Sequence, residues 1–471
     1  MPDSVLIHFD GVNTPIVSTS VLKNTDTYNA AFGEIGTGVG QWSCTSISDE
    51  SGQLLFYTNG FTVWNRNHQL MQNGDSLLLH KKISDGVLII PFPNHDSLYY
   101  IFYVNYSVTG QLNTESISYS IVNMNMDGGL GGIDSINKNI SIINDTIGYH
   151  ICAVKHGNGR DWWVVGHDRP GNNFFTALIT PDSVIIKPSQ NIGRREETSG
   201  IEMCISNQGN KIAFGNWDFL QVFNFDRCSG EIGTEILVDT TYNVIQGLSF
   251  SPDGSLFYAN STSDLFQYNL NAPIPFQSKT LIWHNPYNQF SYPNDSAYAI
   301  GIHELAPNGK IYISSHYKVD PEMILHFGFQ NMSLSVINKP DSLGLACDFQ
   351  PYSLNLAGHR THGGLPNMPN YNLGALEGGP CDTLTSIQNE IDKTNSITIS
   401  PNPATTKIKI TNLSPTENQI SIINLLGQQV KSIRVSHVQS TTIPVSDLPA
   451  GIYVVTIFDG EKMVCKKFVK E

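Results

Sequence analysis

A short turn rich in asparagine, aspartate and glycine recurs along the chain, each time between two apolar stretches. One copy is Phe250-Ser251-Pro252-Asp253-Gly254-Ser255-Leu256-Phe257-Tyr258. Proline presets the backbone for the first turn position, and an Asp-Gly or Asn-Gly step supplies the positive φ of a tight hairpin. The pattern predicts six strand–turn–strand units, with turn centres near residues 51, 95, 158, 209, 253 and 308.

The spacing of these turns favours one architecture. The gaps between turn centres are 44, 63, 51, 44 and 55 residues, which is typical of four-stranded propeller blades. A single blade cannot bury both faces of its sheet, so neighbouring blades must stack and the array must close on itself. We therefore predict an all-β protein with a β-propeller over residues 1–375. Seven blades fit the six visible units plus the chain ends, with six or eight as alternatives, and the strand Val5-Leu6-Ile7-His8-Phe9 is expected to complete the last blade.

Composition agrees with many turns and few helices, since 40 glycines and 24 prolines occur among 471 residues. Residues 396–471 hold eight Lys or Arg and five Asp or Glu, which leaves 19 basic and 36 acidic residues in the preceding part. An acidic body is repelled by phosphate backbones, so we expect no nucleic-acid partner. The sequence has no run of eighteen apolar residues, so we also expect no transmembrane segment.

The last seventy-odd residues have a pattern of their own. They open with Ser400-Pro401-Asn402-Pro403 and continue into short alternating stretches at 407–410 and 420–423. The run Leu448-Pro449-Ala450-Gly451-Ile452-Tyr453 follows, and the chain ends with Lys466-Lys467-Phe468-Val469-Lys470-Glu471. Alternation with period two indicates strands. These features predict a small C-terminal β-sandwich over 396–471, joined to the body by a linker at 376–395.

These ordered features resemble the type A C-terminal sorting domain of the type IX secretion system of Bacteroidetes bacteria. The resemblance implies that the tail engages the export machinery and is then removed in the linker region. The body would stay anchored on lipopolysaccharide at the outer-membrane surface, or be released. The residues expected to shape the fold of the tail are Pro401, Asn402, Pro403, Gly451 and Tyr453. The residues expected to be recognised, because their charge lies at the exposed end of the last strand, are Lys466, Lys467 and Lys470.

The body carries landmarks in a fixed order, among them Val63-Trp64-Asn65, Gly128-Gly129-Leu130-Gly131 and Gly364-Leu365-Pro366-Asn367. They resemble the propeller-like region at the start of large Bacteroidetes surface proteins, which implies a fold but no settled activity. Met1-Pro2-Asp3 lacks the basic start and apolar core of the signal peptide that exported members of the sorting family carry. We expect a trimmed or misassigned start, with a vestigial sorting domain as the alternative.

Seven cysteines form an odd set, so at least one should be unpaired in an oxidising compartment. Cys204 and Cys228 lie in successive strand-like stretches and could form a disulfide. Cys347 and Cys381 could fasten the end of the body to the linker. Buried free thiols are the alternative for each pair.

The loop from Asn123 to Asp134 has the spacing of a calcium site. Asn123, Asn125, Asp127 and Asp134 would supply oxygen ligands at positions one, three, five and twelve, with Gly128 at position six. The asparagine at position one and the short aspartate at position twelve weaken this prediction. An ordinary glycine-rich hairpin is the alternative, and no other cofactor is predicted.

Other side chains are candidates for chemistry in the channel or the loops. Trp162 and Trp163 should point to opposite faces of a strand, one into the core and one outward, where it could stack on a sugar ring. His303-Glu304 begins a zinc-protease motif, but Pro307 replaces the second histidine and the segment has a strand pattern. A glycine-rich stretch contains His359, Arg360 and His362. These side chains could share a metal, with ordinary polar loop residues as the alternative. Several carboxylates could converge on the central channel, and the candidates are Asp49, Glu50, Asp161, Asp168, Glu196, Glu197 and Glu202.

The sequence thus favours an exported protein, secreted or surface-anchored, whose propeller is a binding scaffold for a glycan or a surface protein. The first alternative is a polysaccharide-active hydrolase or lyase that uses paired carboxylates in the channel. The second is a structural component of an adhesion or gliding apparatus. The sequence contains no G-x-S-x-G elbow and no Walker loop, which disfavours the common hydrolase and nucleotide-dependent enzymes.

Overall fold

The computed structural model divides into two compact units, Met1–Thr383 and Leu384–Glu471. Apart from five short 3₁₀ turns, the regular structure in the described part of the chain is entirely β. The 3₁₀ turns are Asp127–Gly129, Ser135–Asn137, Pro275–Ser278, Phe329–Met332 and Gly344–Cys347. The structure describes residues 4–8, 16–22, 43–49, 51–79, 85–105, 116–145, 147–196, 202–242, 245–261, 263–286, 300–315, 318–319, 325–326, 328–356, 361, 364–382, 397–413, 418–424, 428–458 and 463–471.

The first unit consists of antiparallel sheets that follow one another along the chain. A two-stranded sheet comes first, with β1 (Ser4–His8) and β2 (Ile16–Leu22). The first blade sheet has β3 (Thr45–Ser48), β4 (Leu54–Thr58) and β5 (Val63–Asn65). The second has β6 (Val87–Pro91), β7 (Leu98–Asn105), β8 (Ser116–Asn123), β9 (Gly132–Ile133) and β10 (Ile140–Asn144). The third has β11 (Ile147–Lys155), β12 (Trp162–Asp168), β13 (Gly171–Ile179), β14 (Val184–Ile186) and β15 (Gln190–Glu196).

The remaining blade sheets have four strands each. The fourth has β16 (Glu202–Ile205), β17 (Lys211–Gly215), β18 (Leu220–Phe225) and β19 (Ile232–Asp239). The fifth has β20 (Gly247–Phe250), β21 (Leu256–Asn260), β22 (Asp264–Asn269) and β23 (Thr280–His284). The sixth has β24 (Ile300–Leu305), β25 (Ile311–Ser315), β28 (Ser333–Ile337) and β29 (Phe349–Asn355), with the ribbon β26 (Lys318–Val319) and β27 (Leu325–His326) between its second and third strands.

All six predicted turns occupy the same place, between the first and second strands of their blades. Five use a glycine in the left-handed region, with φ between 69° and 81°, and the second blade uses Asn94 at 61°. Side chains other than asparagine and aspartate rarely adopt this conformation, which explains the repeated Asn/Asp/Gly signal. The glycines are Gly52, Gly159, Gly209, Gly254 and Gly309.

The first strands of consecutive blades lie against one another, from β3 to β6, β11, β16, β20 and β24 in turn. This places six first strands around a common axis and confirms the propeller. The described residues give six blade sheets beside the β1–β2 sheet, so the count of seven stays a prediction. Ser4–His8 pairs with β2, and its expected place in the last blade stays a prediction.

Apolar layers fill the spaces between blades. Trp162 belongs to the layer that the first three blades share, whereas Trp163 belongs to the layer between the third and fourth blades. The two rings do point to opposite faces of β12, but the prediction that one is exposed was wrong, since each is only 1% exposed. Both faces of a blade are covered by its neighbours, so neither face offers a ring to solvent.

The second unit is a sandwich of two antiparallel sheets, and its core is mainly isoleucine and valine. In the strand Lys407–Thr411, for example, Ile408 and Ile410 are fully buried while the two lysines point outward. The predicted alternation therefore forms the predicted sandwich. The three-stranded sheet has β30 (Thr398–Ser400), β31 (Lys407–Thr411) and β34 (Ser440–Pro444). The four-stranded sheet has β33 (Gln429–Val435), β32 (Asn418–Asn424), β35 (Gly451–Phe458) and β36 (Met463–Lys470).

Candidate functional site

A cavity of about 480 Å³ lies at the centre of the propeller. Its walls are the first strands of the third to sixth blades, the start of the second blade, and residues 367–372, which return to the propeller after the last blade. The lining also includes turn residues Asn207, Pro252 and Pro307, and Pro307 is exposed. The cavity therefore extends from the middle of the channel to the face that carries the six hairpins.

Three carboxyl groups on different blades line this cavity: Asp85 just before β6, Glu202 on β16 and Glu304 on β24. Burial raises the pKa of Asp85 to about 7. Burial also raises the pKa of Glu202 and of Glu304 well above the usual range, and the charge of Asp85 adds to both shifts. A hydrogen bond from the backbone of Leu248 offsets part of the shift at Glu202. The carboxyls thus share one cavity in which ionisation is costly.

A histidine and a serine face the same space. Ser249 Oγ lies 3.0 Å from His303 Nδ1, and both side chains line the cavity. Burial lowers the pKa of His303 to about 3, so its ring is neutral at physiological pH. A base with so low a pKa is poorly matched to activating a serine nucleophile. The predicted strand character of His303-Glu304 is confirmed, since both residues belong to β24.

Thiols on neighbouring elements surround the carboxyls. Burial, helped by nearby carboxylates, raises the pKa of Cys44 to about 12 and raises that of Cys204 well above its usual range. Burial raises the pKa of Cys152 as well. A protonated thiol is a weak nucleophile and a weak metal ligand, so these groups are unreactive packing residues in this state.

Residues 364–382, which we call the strap, tie several blades together. Asn367 alone makes four hydrogen bonds to three blades: its amide donates to Cys44 O at 2.9 Å, and its carbonyl accepts from Thr45 Oγ1 at 2.9 Å. Its side-chain Nδ2 donates to Asp85 O at 3.0 Å and to Ile151 O at 2.9 Å. The strap thus closes one side of the cavity and is held there by hydrogen bonds to three blades.

The later part of the strap is fixed on the third and fourth blades. Leu376 donates from its amide to Gly157 O at 2.7 Å, and the Arg227 guanidinium donates to Gly374 O. Cys381 forms a disulfide with Cys228. Residues 376–382 of the predicted linker therefore pack on the propeller, while the predicted domain boundaries stay predictions.

Both predicted cysteine pairings were wrong. Cys204 and Cys347 are free, whereas Cys228 bonds to Cys381. The reason is position: Cys204 lines the central cavity, while Cys228 lies in the turn between the third and fourth strands of its blade, where the strap passes. Cys381 was expected to join the linker to the end of the body through Cys347, but it joins the linker to the fourth blade through Cys228.

Among the predicted carboxylates whose side chains the structure describes, only Glu202 lines the cavity. The carboxylates of the β-turns and strand ends bind local groups instead: Asp49 accepts from the Ser51 amide, Asp161 pairs with Arg160 at 2.6 Å, and Asp168 accepts from Asn173. Glu50, Glu197 and the side chain of Glu196 lie outside the described residues, as do His359, Arg360 and His362. Asp85 and Glu304 were missed as channel residues: Asp85 lies just before β6 and Glu304 within β24, the first strands of their blades.

The predicted calcium loop is a network of local hydrogen bonds. Asn123 Oδ1 accepts from the Asn125 amide at 2.9 Å, and Asp134 Oδ1 accepts from the Ile136 amide at 3.1 Å. Asp127 is exposed. The described part of the chain contains no group of three or more His, Cys, Asp or Glu side chains arranged to hold a metal ion. Calcium binding by this loop stays a prediction.

In the C-terminal sandwich, the Ser-Pro-Asn-Pro segment pairs with the last strand. Asn402 Oδ1 accepts from the Val469 amide at 2.8 Å, and Ala404 donates to Val469 O at 2.8 Å. Pro401 and Pro403 flank that asparagine. The segment, which begins at the end of β30, therefore fixes the edge of β36.

Tyr453 lies in the sandwich core, where its ring stacks on Phe468 at 5.5 Å and its hydroxyl donates to Pro449 O at 2.9 Å. Gly451, two residues earlier, begins β35 in an extended conformation. Lys466 and Lys467 are exposed, as predicted. The prediction that Lys470 is exposed was wrong: it is 8% exposed, because it lies two positions from Phe468 on the inward side of β36.

Residues 398–471 match the family model described as a secretion system C-terminal sorting domain. The tail is a type IX sorting domain. This sorting domain marks the protein for delivery to the cell surface or the outside of the cell, through recognition by the type IX machinery. None of the helices among the described residues is long and apolar enough to span a membrane.

Solved structures give weaker similarities, and no curated protein matches the sequence. A Bacteroides uniformis protein assigned as a 6-phosphogluconolactonase has 14% identity and a TM-score of 0.40, covering 68% of this chain and 90% of its own. A Lactobacillus plantarum protein has 12% identity and a TM-score of 0.37, covering 69% and 96%. PorZ, an essential surface component of the type IX system of Porphyromonas gingivalis, has 11% identity and a TM-score of 0.23, covering 88% and 74%. These scores carry no functional argument, and the propeller is assigned from its own sheet topology.

Proposed function

We propose that this protein is a binding protein exported by the type IX system, whose propeller presents a ligand site in its central cavity. The observation that supports binding is the 480 Å³ cavity, because it combines apolar walls with a few converging polar groups. The ligand would be a glycan or a surface protein that inserts one chemical group from the hairpin face. The sorting domain supplies the delivery.

The disulfide of the strap indicates what cleavage of the tail would leave behind. Cys381 is bonded to the propeller, whereas the sorting domain belongs to the other compact unit. Cleavage between Asp382 and Ile397 would therefore remove the sorting domain and leave the strap in place. The mature body would then remain intact, either anchored on lipopolysaccharide or released.

One observation favours an enzymatic alternative, a polysaccharide-active hydrolase or lyase: three carboxyl groups line one cavity. Such enzymes need one carboxyl ionised and another protonated at working pH. Burial raises the pKa of all three here, and the backbone hydrogen bonds at Asp85 and Glu202 offset only part of that effect. A pKa raised in all three carboxyls supports binding over catalysis. A purely structural role in adhesion or gliding would leave the cavity without a ligand.

A combined glycan array and turnover screen on the full chain tests the proposal. Binding that is lost when the cavity is narrowed by Ser249→Trp, without release of shortened sugar, would support a scaffold. Ser183→Trp, in the turn after β13, serves as the matched control because its side chain is on the outer rim. Release of shortened sugar would establish the enzyme instead. If the protein shows no binding and no turnover, the structural role is the one that remains.

Export is tested separately with a reporter fused to the propeller. We expect the reporter to leave the cell only when residues 396–471 are attached. Export of a version without the tail would contradict the role of the sorting domain.

A further inference from the structure

The central cavity contains buried polar atoms that have no hydrogen-bond partner. Glu202 Oε2 and His303 Nε2 both lack one, although Glu202 is 2% exposed and His303 is 3% exposed. A buried acceptor without a donor costs about 1–3 kcal/mol, so native proteins rarely leave one unsatisfied. Both residues line the same cavity, which indicates that the missing donor belongs to a bound molecule.

The titratable and hydroxyl side chains that line the cavity are acidic or uncharged. Asp85, Cys152, Glu202 and Cys204 face the cavity from the second to fourth blades. Ser249, His303, Glu304 and Tyr371 face it from the fifth blade, the sixth blade and the strap, and Cys44 of the first blade lies near Asp85 and Glu304. No Lys or Arg occurs among the described residues that line it. The described cavity therefore carries potential negative charge, with no cation of its own to balance it.

A metal ion does not fit this arrangement. Metal ligands converge within about 2.0–2.6 Å of one point, and the described His, Cys, Asp and Glu side chains form no such group of three. A molecular cation with several N–H donors can instead reach acceptors spread over a cavity of this size.

We propose that the cavity binds an amine or guanidinium group, with Glu202 and Glu304 as its counter-charges and His303 Nε2 as a neutral acceptor. This inference rests on the proposed binding function and narrows its ligand. Ser249 accepts from Nδ1–H in the required tautomer, which leaves Nε2 free to accept from the ligand. The neutral imidazole adds no repulsion, because its pKa is only about 3.

The same chemistry occurs in a free amine, a basic side chain of a surface protein and an amino sugar. The experiment is titration calorimetry of the full chain with one probe of each source: 1,4-diaminobutane, the peptide Gly-Lys-Gly and glucosamine. Choline has a positive charge but no N–H on its nitrogen, succinate has the opposite charge, and glucose is neutral. We expect at least one amine probe to bind, choline to bind at least tenfold more weakly, and succinate and glucose not to bind.

Glutamine variants locate the site. Glu202→Gln and Glu304→Gln should each weaken amine binding at least tenfold, while raising or preserving the melting temperature because a buried acid is removed. Glu231→Gln, on the exposed rim of the fourth blade, should bind like the unmodified protein. Binding should also tighten between pH 5 and pH 8, as Asp85 ionises with its pKa of about 7.

Two outcomes overturn the inference. One is equal binding of choline and the amines, and the other is amine binding unchanged in both glutamine variants. If neutral glycans bind the cavity and amines do not, this inference fails while the proposed binding function stands. If no probe and no array ligand binds, both fail.

Discussion

Cys228 and Cys381 form a disulfide although 153 residues separate them in sequence. The bond joins the outer part of the fourth blade to the end of the strap, beyond the last blade. Beside it, His156 Nε2 lies 3.0 Å from the Cys228 carbonyl oxygen, so the third blade is also part of this contact. The end of the strap is thereby bonded to the fourth blade.

Loss of this disulfide should destabilise the propeller. A cross-link that closes a loop of this length stabilises by about 2–5 kcal/mol, mainly by restricting the unfolded chain. We expect Cys381→Ser to lower the free energy of unfolding by that amount in chemical denaturation. The double variant Cys228→Ser/Cys381→Ser should be no less stable than the single one. Additive losses would show that the two sulfurs do not act as one bond.

Replacing Asn367 by the isosteric aspartate should destabilise the protein. Its side-chain NH₂ donates to Asp85 O and Ile151 O, and a carboxylate at the same place has no donor and repels both carbonyls. We expect Asn367→Asp to cost about 2–4 kcal/mol of unfolding free energy at pH 7. Asn271→Asp, on an exposed turn, should change it by less than about 0.5 kcal/mol. Equal effects of the two variants would contradict the bridging role of Asn367.

Asp85 should make stability depend on pH. Burial raises its pKa from 3.8 to about 7, so the folded protein keeps a proton that the unfolded chain releases between these values. The contribution of Asp85 to stability is therefore greatest below pH 3.8, falls by up to about 1.4 kcal/mol per pH unit as the pH rises, and levels off above 7. Glu202 and Glu304 act in the same direction.

Asp85→Asn should remove the part of this slope that Asp85 causes. Urea denaturation at pH 5 and pH 8 measures it, with the exposed Asp218→Asn as the matched control. A slope that is the same in Asp85→Asn and in the unmodified protein would exclude Asp85 as its source.

The exposed lysines of the last strand should matter for export more than for folding. We expect Lys466→Ala/Lys467→Ala to reduce secretion of a fused reporter about tenfold, the factor for ~1.4 kcal/mol of lost recognition. The melting temperature of the tail should not change, since both side chains are in solvent. Lys407→Ala/Lys409→Ala removes two exposed lysines from the other sheet and should be exported normally. Equal loss in both pairs would indicate a general charge requirement.

Turn chemistry made the propeller predictable from sequence. A left-handed turn position accepts few residues, so Gly52 and its counterparts leave a mark that depends on local backbone alone. The sandwich was predictable for a similar reason, because alternation such as Lys407-Ile408-Lys409-Ile410 reports the buried face of a strand directly. The resemblance of the tail to a sorting domain rests on such local, ordered features.

The residues that line the cavity were harder to predict from the sequence. Glu202 was among the expected carboxylates, but Asp85 and Glu304 come from other blades and meet it only because the sheets are arranged in a ring. The alternation along a single strand left open whether Trp163 is in the core or in solvent. Packing against the neighbouring blade decides that it is buried. The pairing of Cys228 with Cys381 likewise depends on where the strap crosses the propeller.

The sequence by itself determined the hairpins, the strands and the address carried by the tail, because each is encoded within a few consecutive residues. The tertiary structure alone decided which acids share a cavity, which cysteines bond and which lysine of the last strand is buried. Those outcomes depend on contacts between residues far apart in the chain, and hydrophobic burial between blades brings them together without any local signal.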